Sequence, residues 1–197
     1  MRLKKHSRYM LQTYGGDVLK QQSAEITAFD RDLIELSAYM IKAMHALNGI
    51  GLAAVQIGVL KRLIVIDIPQ NSMSNPPTPG EIQLLPQMPM ALVNPKIVEF
   101  GNEITPYDEG CLSVPEVYAE VMRPSLIKVE AQDLAGNKFE FECGGLLARC
   151  IQHEVDHLDG FVFVDRLSDE VRAEVSEELT ALQRRGKKFK YQRDIKI

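Results

Sequence analysis

The sequence predicts an α+β fold in which antiparallel β-sheets surround a central helix that carries an HExxH motif, with one helix before and one after. Three observations predict this fold. Strand-like segments are grouped in the middle of the chain and do not alternate with helices. Amphipathic helical patterns lie on both sides of this group. Residues 152–157 read QHEVDH, and a helix there places His153 and His157 one turn apart on one face.

The composition is that of an ordinary globular chain. It has 197 residues, of which 45% are apolar and 25% charged. This length fits one domain, or one domain with a terminal extension. We predict a single main domain at 1–167 and a C-terminal helix with a basic tail at 168–197. A net charge of −4 gives no support for nucleic-acid binding by the whole domain. We predict no membrane association, because no apolar run is long enough to cross a bilayer.

The cysteines and the N-terminal residues indicate the cellular compartment in which the protein is expected. Cys111, Cys143 and Cys150 are an odd number without framework spacing, which fits a reducing compartment. We expect Cys143 and Cys150 to be buried thiols. Residues 1–10 are basic but lack the apolar stretch of a secretory signal. We therefore expect a cytoplasmic protein.

The first predicted helix covers residues 27–48. Thr27 with Asp30 resembles a capping box, and Gly49 is a natural end. One face of this helix carries the core positions Leu33, Leu36, Met40, Met44 and Leu47.

The middle of the chain carries the strand candidates. Residues 49–56, GIGLAAVQ, taken alone are typical of a tight connection between a helix and a strand. Residues 69–89 hold six of the ten prolines and are predicted to form a long surface loop. A hairpin turn is predicted at 133–137. The predicted strands are 62–68, 90–98, 117–122, 126–131 and 138–142.

The HExxH helix is predicted to open at Gly144-Gly145 and to end at Gly160. Residues 161–164 are apolar and predict a short buried strand. Ser168 is a suitable cap for a last helix of about 17 residues that runs to Arg185.

The HExxH motif predicts a metal site. His153 and His157 can share one ion, and Glu154 can handle a proton of a bound water. A catalytic site needs a third ligand and an open position. The metzincin spacing would place this ligand at Phe163, which cannot bind a metal.

The other candidates for the third ligand stay open at this point. Glu174 or Glu178 of the last helix could serve, as in gluzincins, although neither lies in a distinctive context. Thiolate is the remaining strong ligand type, and Cys111 is the one cysteine in a glycine-flanked, loop-like setting.

Three motifs in this order resemble those of the peptide deformylase family: GIGLAAVQ at 49–56, EGCLS at 109–113 and QHEVDH at 152–157. Residues 14–20 and 145–149 are similar to further family segments. The resemblance covers roughly residues 12–167, and three motifs in order are highly specific.

The resemblance implies hydrolysis of the N-terminal formyl-methionine group of newly made polypeptides, with release of formate. Metal-bound water would attack the formyl carbon, with Glu154 as general base and acid. Gln56 and the backbone N–H of Leu112 would hold the oxyanion. The metal ligands would be Cys111, His153 and His157.

The resemblance also implies the substrate contacts, the metal and the partners. The substrate would contact Ile50, Gly51, Glu109, Gly110, Leu146 and Cys150. Leu146 and Cys150 would help form a pocket for the methionine side chain. The physiological ion would be Fe²⁺, with Zn²⁺, Ni²⁺ or Co²⁺ able to substitute. Formyl-methionyl nascent peptides would be the substrates, and the basic residues 184–197 could dock on the ribosome.

The chain departs from the usual pattern at a few positions. Val55 replaces a common proline, and the sequence after Pro115 is less usual, which leaves peptide preference open. We also predict an ion pair between Glu109 and Arg123 beneath Cys111. Two other functions remain to be weighed: an HExxH peptidase whose third ligand comes from the last helix, and a non-catalytic, ribosome-associated or peptide-binding relative.

Overall fold

The computed structural model describes residues 9–188, 190 and 192–195. In chain order, its strands and α-helices are β1 (Met10–Gln12), α1 (Arg31–Ala46), β2 (Gly51–Ala53), β3 (Leu63–Ile66), α2 (Pro79–Leu84), β4 (Met90–Phe100), β5 (Ile104–Cys111), β6 (Val114–Pro124), β7 (Leu126–Gln132), β8 (Lys138–Gly144), α3 (Gly145–Leu158), α4 (Asp169–Glu174), α5 (Ser176–Lys188) and β9 (Gln192–Asp194). The predicted α+β fold is confirmed. No helix in these residues is both long and apolar enough to cross a membrane.

The three sheets are antiparallel. The largest has the strand order β2-β3-β4-β7-β8, and β5 pairs with β6 in a separate hairpin. The third sheet joins β1 near one end of the chain to β9 near the other. Sequence analysis missed β1, β2, β5 and β9, because these strands are too short or too polar to show a strand pattern.

The large sheet is packed on both faces. Ile64 and Ile66 of β3 belong to the apolar cluster that contains Ile151 of α3. Leu63 and Val65 belong to the cluster that contains α1. This alternation follows from the two-residue period of a strand, and it places α1 and α3 on opposite faces of the sheet.

The start of α1 lies four residues later than predicted. Asp30 is the N-cap, and its carboxylate accepts a hydrogen bond from the Leu33 N–H at 3.1 Å. Thr27 takes no part in this cap. The Gly49 N–H donates to the Met44 carbonyl and closes the other end, as the sequence predicted.

The prediction that 69–89 is a surface loop is wrong in part. Helix α2 lies within it, and Leu84 and Leu85 are buried. The carboxylate of Glu81 is also buried and accepts hydrogen bonds from the N–H and hydroxyl groups of Ser74 and Thr78. The prolines obscured this helix, although Pro79 occupies its first turn, where proline is tolerated.

Two predictions after α3 are also corrected. Residues 161–164 form no strand, because a 3₁₀ turn at Phe163–Asp165 is stabilised by the hydrogen bond from the Val162 N–H to the Asp165 carboxylate. The last helix is interrupted at Val175. Ser168 caps α4, as predicted, by accepting from the Val171 N–H.

Candidate active site

A cleft of about 530 Å³ lies between β2, the β5–β6 hairpin and α3. Strand β2 pairs only with β3 among the described strands, so its other edge faces this cleft. Helix α3 contributes Leu146, Cys150, His153 and Glu154 to the lining. The three motifs that are separate in sequence therefore meet at one cavity.

Cys111, His153 and His157 form a compact donor group, of which Cys111 and His153 line this cleft. Their ligand atoms all lie within 4.8 Å of one another, and Cys111 Sγ lies 3.1 Å from His157 Nε2. Cys111 ends β5 at the point where the pairing with β6 shifts register. The two histidines are buried and project from successive turns of α3. This is the group within the described residues that could hold a metal ion.

The alternative third ligands lie elsewhere. Glu174 and Glu178 are exposed on α4 and α5 and are not part of the donor group. Phe163, at the metzincin position, instead packs against the ring of His153 at a centroid distance of 6.2 Å. Of the candidates that sequence analysis left open, the fold brings Cys111 to the histidines.

The chemistry of the donor group fits one divalent cation. A thiolate and two imidazoles are ligand types that zinc and ferrous iron accept. Burial opposes protonation of His153, but contacts with Cys111 and Glu109 raise its pKa well above the usual value. Burial and the neighbouring His153 lower the pKa of His157. The close grouping of a thiol and two buried imidazoles is therefore suited to hold one divalent cation.

Glu154 is buried beside the donor group. Its Oε2 has no hydrogen-bond partner among the described residues. Burial raises the pKa of Glu154 to about 7, although the charge of His153 opposes the change. A carboxyl group with such a pKa can both accept and release a proton near neutral pH.

Residue 51 must be glycine, because the backbone of β2 passes very close to the side chain of Glu154 on α3. A Cβ atom at residue 51 would collide with Glu154 Oε1 and would lie 2.7 Å from Cys150 Sγ. Only glycine therefore lets β2 run this close to α3. The Cys150 thiol contacts the Ile50 carbonyl oxygen at 3.6 Å, and Ile50 is partly exposed at the cleft.

The Gln56 side chain has a fixed orientation. Its Oε1 accepts from the Ala53 N–H at 2.7 Å, and its Nε2 donates to Ser113 Oγ at 3.2 Å. The same Nε2 lies 3.6 Å from Cys111 Sγ. The amide N–H groups are therefore directed to the donor group, beside Leu112 at the cleft wall.

Glu109 lies beneath His153. Its Oε2 is 2.9 Å from His153 Nδ1, and Arg123 binds both of its oxygens at 2.7 and 3.0 Å. Arg149 adds a contact at 3.2 Å. Burial raises the pKa of Glu109, but the bonds from His153 and Arg123 outweigh this and lower it to about 2. The predicted ion pair between Glu109 and Arg123 is confirmed.

The other predicted positions also line the cleft. Leu146 lies near the start of α3, and Gly110 lies so close to Tyr118 that a Cβ would contact the ring at 2.5 Å. Cys143 and Cys150 are buried, as predicted. Burial raises the pKa of both thiols.

Sequence analysis missed three side chains of this region. Tyr107 and Arg149 line the cleft, with the Arg149 guanidinium 5.6 Å from the Tyr107 ring centroid. Arg193 reaches the cleft from β9. Arg149 lies in a segment that resembles the family, so it could have been found, whereas only the pairing of β9 with β1 places Arg193 here.

Comparisons with known proteins show the family to which this chain belongs. The sequence model of the family described as polypeptide deformylase matches residues 9–173. Peptide deformylase of Prochlorococcus marinus (strain MIT 9312) is 44% identical over 167 residues, which are 83% of this chain and 77% of that protein. Peptide deformylase 2 of Gloeobacter violaceus is 42% identical over 161 residues, with 82% and 80% covered.

Solved structures show the same fold. Arabidopsis thaliana peptide deformylase 1B has a TM-score of 0.78 at 34% identity, with 94% of this chain and 96% of that chain covered. The peptide deformylase of Synechococcus elongatus, in complex with actinonin, has a TM-score of 0.76 at 38% identity, with 92% and 89% covered. This family implies a divalent metal, which the donor group suits. The chain belongs to the polypeptide deformylase family and removes the N-formyl group from nascent peptides.

Proposed function

We propose that Cys111, His153 and His157 bind one divalent metal and that Glu154 is the general base and acid of deformylation. The observation that carries this proposal is the meeting of the three donors with Glu154 and Gln56 at one cleft. The metal would lower the pKa of water from about 16 to roughly 7 and polarise a carbonyl group. Glu154 would take a proton from this water and pass it to the departing amine.

Gln56 and Leu112 would stabilise the charge that develops on the formyl oxygen. The side-chain amide of Gln56 is held by hydrogen bonds to Ala53 and Ser113. Little reorganisation of this side chain is therefore needed when its N–H stabilises the oxyanion. The backbone N–H of Leu112 would be the second donor. Loss of one such donor typically costs about 100- to 1000-fold in rate.

The substrate backbone would lie along Ile50 and Gly51, with Glu109 and Gly110 on the opposite side of the cleft. The open edge of β2 supports this placement, because an extended peptide can add to an unpaired strand edge. The methionine side chain would enter the pocket near Leu146 and Cys150. A formyl carbon carries only hydrogen besides its oxygen and nitrogen, so a narrow site can exclude larger acyl groups.

We expect Fe²⁺ as the physiological ion, with Zn²⁺, Ni²⁺ or Co²⁺ as substitutes. The mixed thiolate and imidazole donors accept each of these ions. A thiolate beside an oxidisable metal also predicts loss of activity in oxygen or peroxide.

We further propose a cytoplasmic location, with a catalytic domain at 1–167 followed by a C-terminal helix and basic tail at 168–197. The basic residues 184–197 could dock on ribosomal RNA, although part of this segment lies outside the described residues. Co-sedimentation with ribosomes at low salt tests the docking. A chain truncated after Leu167 that still co-sediments would count against it.

The first experiment is amine release from formyl-Met-Ala-Ser by protein purified without oxygen, with the bound metal assayed alongside. Release should disappear in Glu154→Ala while the metal stays bound. Bound Fe²⁺ or Ni²⁺ without release at high substrate concentration would overturn the proposal. Cys111→Ala should lose the metal, whereas an HExxH peptidase with a third ligand in the last helix would keep it.

A further inference from the structure

Asp156 lies on α3 between the two histidines and binds an arginine at each oxygen. Its Oδ2 is 2.7 Å from Arg123 Nη1, and its Oδ1 is 2.6 Å from Arg166 Nη2. Arg166 Nε adds a contact at 3.2 Å. Arg166 follows the 3₁₀ turn after α3 and is outside the three motifs, so no motif reading assigns it a role.

These contacts connect the protein surface to His153 of the donor group. The chain of ion pairs runs through Arg166, Asp156, Arg123, Glu109 and His153. Side-chain exposure is 43% for Arg166, 11% for Asp156, 6% for Arg123 and 4% for Glu109. The chain therefore leads from a half-exposed cation to a fully enclosed carboxylate.

Arg123 is held from two sides. Its Nε and Nη2 bind Glu109, and its Nη1 binds Asp156. A guanidinium is planar and rigid. The Asp156 carboxylate on one side of Arg123 therefore restricts the orientation in which the Nε and Nη2 groups of Arg123 meet Glu109. Asp156 therefore helps to fix Arg123 against Glu109, which also contacts Arg149 and the ring of His153.

Arg166 holds Asp156 in place. Its guanidinium lies 4.6 Å from the centroid of the Phe161 ring, which restricts its motion. Without Arg166, one oxygen of a largely buried carboxylate would lose its charged partner, and Asp156 could turn away from Arg123.

We infer that Arg166 is a positioning residue for the metal site, which acts on His153 through Asp156, Arg123 and Glu109. This inference rests on the proposed ligand set. Direct outer partners of metal ligands typically change metal affinity 10- to 100-fold. Arg166 is further away, so we expect its loss to weaken metal binding by about 3- to 10-fold.

The test measures the Co²⁺ dissociation constant by competition with a chelator. Arg166→Gln should raise this constant by about 3- to 10-fold, and Arg166→Lys should restore part of the affinity. Arg172→Gln is the matched control: Arg172 is 44% exposed in the same region and donates to the Val164 carbonyl, and no contact to Asp156 is present among the described residues. The Co²⁺ dissociation constant of Arg172→Gln should stay within about twofold of that of the wild type.

A double-mutant cycle separates positioning from a general structural role. If Arg166 acts through Asp156, the double variant Asp156→Asn/Arg166→Gln should bind Co²⁺ as Asp156→Asn alone does. Unchanged affinity in Arg166→Gln, or effects that simply add, would overturn the inference. A wild-type protein that binds Co²⁺ but releases no amine would instead contradict the proposed function and leave this test intact.

Discussion

Helices α1 and α3 lie on opposite faces of the same sheet, and they are buried in different ways. Helix α1 buries six of its sixteen residues, and five of these six are apolar. Helix α3 buries twelve of its fourteen residues, and half of these are polar or charged: Arg149, Gln152, His153, Glu154, Asp156 and His157. One helix is held by an apolar stripe, whereas the other needs partners for buried charges.

The difference shows what a functional helix requires from the rest of the chain. An apolar stripe is stabilised by contact with any well-packed face. Buried charges destabilise a fold unless they are paired and hydrogen-bonded. Arg149, Asp156 and His153 find these partners on β5 and β6 and in the segment after α3. Glu154, with one oxygen unpaired among the described residues, is the group we assign to proton transfer.

The starts of the two helices differ in the same way. Asp30 caps α1 from the adjacent position. The N-cap of α3, Gly144, has no side chain, and its N–H donates to Thr78 Oγ1 at 3.2 Å across 66 residues of sequence. Glu81 holds Thr78 through two hydrogen bonds. Residues 69–89, whose composition predicts a loop, therefore support the start of α3.

The largest effect should follow from breaking the charge network below α3. Arg123→Met leaves Glu109 and Asp156 without their shared partner, so we expect a loss of about 3–5 kcal/mol in the free energy of unfolding. Metal retention after dialysis should also fall. Urea unfolding and metal analysis test both effects. Arg31→Met is the control, because the exposed Arg31–Glu35 pair of α1 should contribute less than about 1 kcal/mol. Equal losses in the two variants would contradict the comparison.

Breaking the apolar side of the comparison should affect stability without affecting the chemistry. Met40 is fully buried on α1, so Met40→Ala should cost about 2–5 kcal/mol. Below the unfolding transition, kcat/KM and metal content should match the wild type. Ile34→Ala, on the exposed side of the same helix, should change stability by less than about 0.5 kcal/mol. A selective loss of kcat/KM in Met40→Ala would show that α1 also supports the site.

Glu81 makes the support of α3 depend on pH. Burial raises the pKa of its carboxyl, but the hydrogen bonds from Thr78 and Ser74 outweigh this and hold the pKa below the usual value. The carboxylate therefore stabilises the fold above its unfolded pKa of about 4.3, and this contribution is lost as the pH falls through the lower folded value.

Glu81→Gln should therefore be less stable than the wild type by about 1–3 kcal/mol at pH 7. The gap should narrow as the pH falls below about 4. Urea unfolding across this range measures the gap, and Glu25→Gln, at an exposed position, serves as the control. A gap that is constant with pH would show that the charge of Glu81 is not what stabilises the segment.

The smallest effect should come from the local cap of α1. Asp30→Ala removes the acceptor for the Leu33 N–H and should cost about 0.5–2 kcal/mol. Asp32→Ala, in the same turn, should cost only a few tenths through the helix dipole. Thermal unfolding distinguishes the two. If they cost the same, the contribution of Asp30 is its charge and not its hydrogen bond.

Short-range sequence patterns were sufficient to predict much of the secondary structure of this protein. The apolar stripe of α1, the hairpin turn before β8 and the spacing of His153 and His157 are local properties of the chain, and each predicted its element. The ordered motifs also indicated the family and the residues that meet in the cleft. Where prediction was wrong, as in 69–89 and 161–164, hydrogen bonds to a carboxylate stabilise a local structure that the composition did not favour: the buried Glu81 holds Thr78, and the exposed Asp165 holds the Val162 N–H.

The sequence alone determined the fold class, the family and the candidate donors, because periodicity, turn residues and motif spacing act over a few residues. The tertiary structure brings Cys111, and neither Glu174 nor Glu178, to the histidines; the family resemblance implied this set, whereas the HExxH spacing alone left it open. Only the tertiary structure decided that Asp156 and Arg166 continue the network below His153, and that β9 brings Arg193 to the cleft. These pairs are far apart in the chain or carry no distinctive spacing. Their contact depends on how sheets and helices pack, and on the need of each buried charge for a partner.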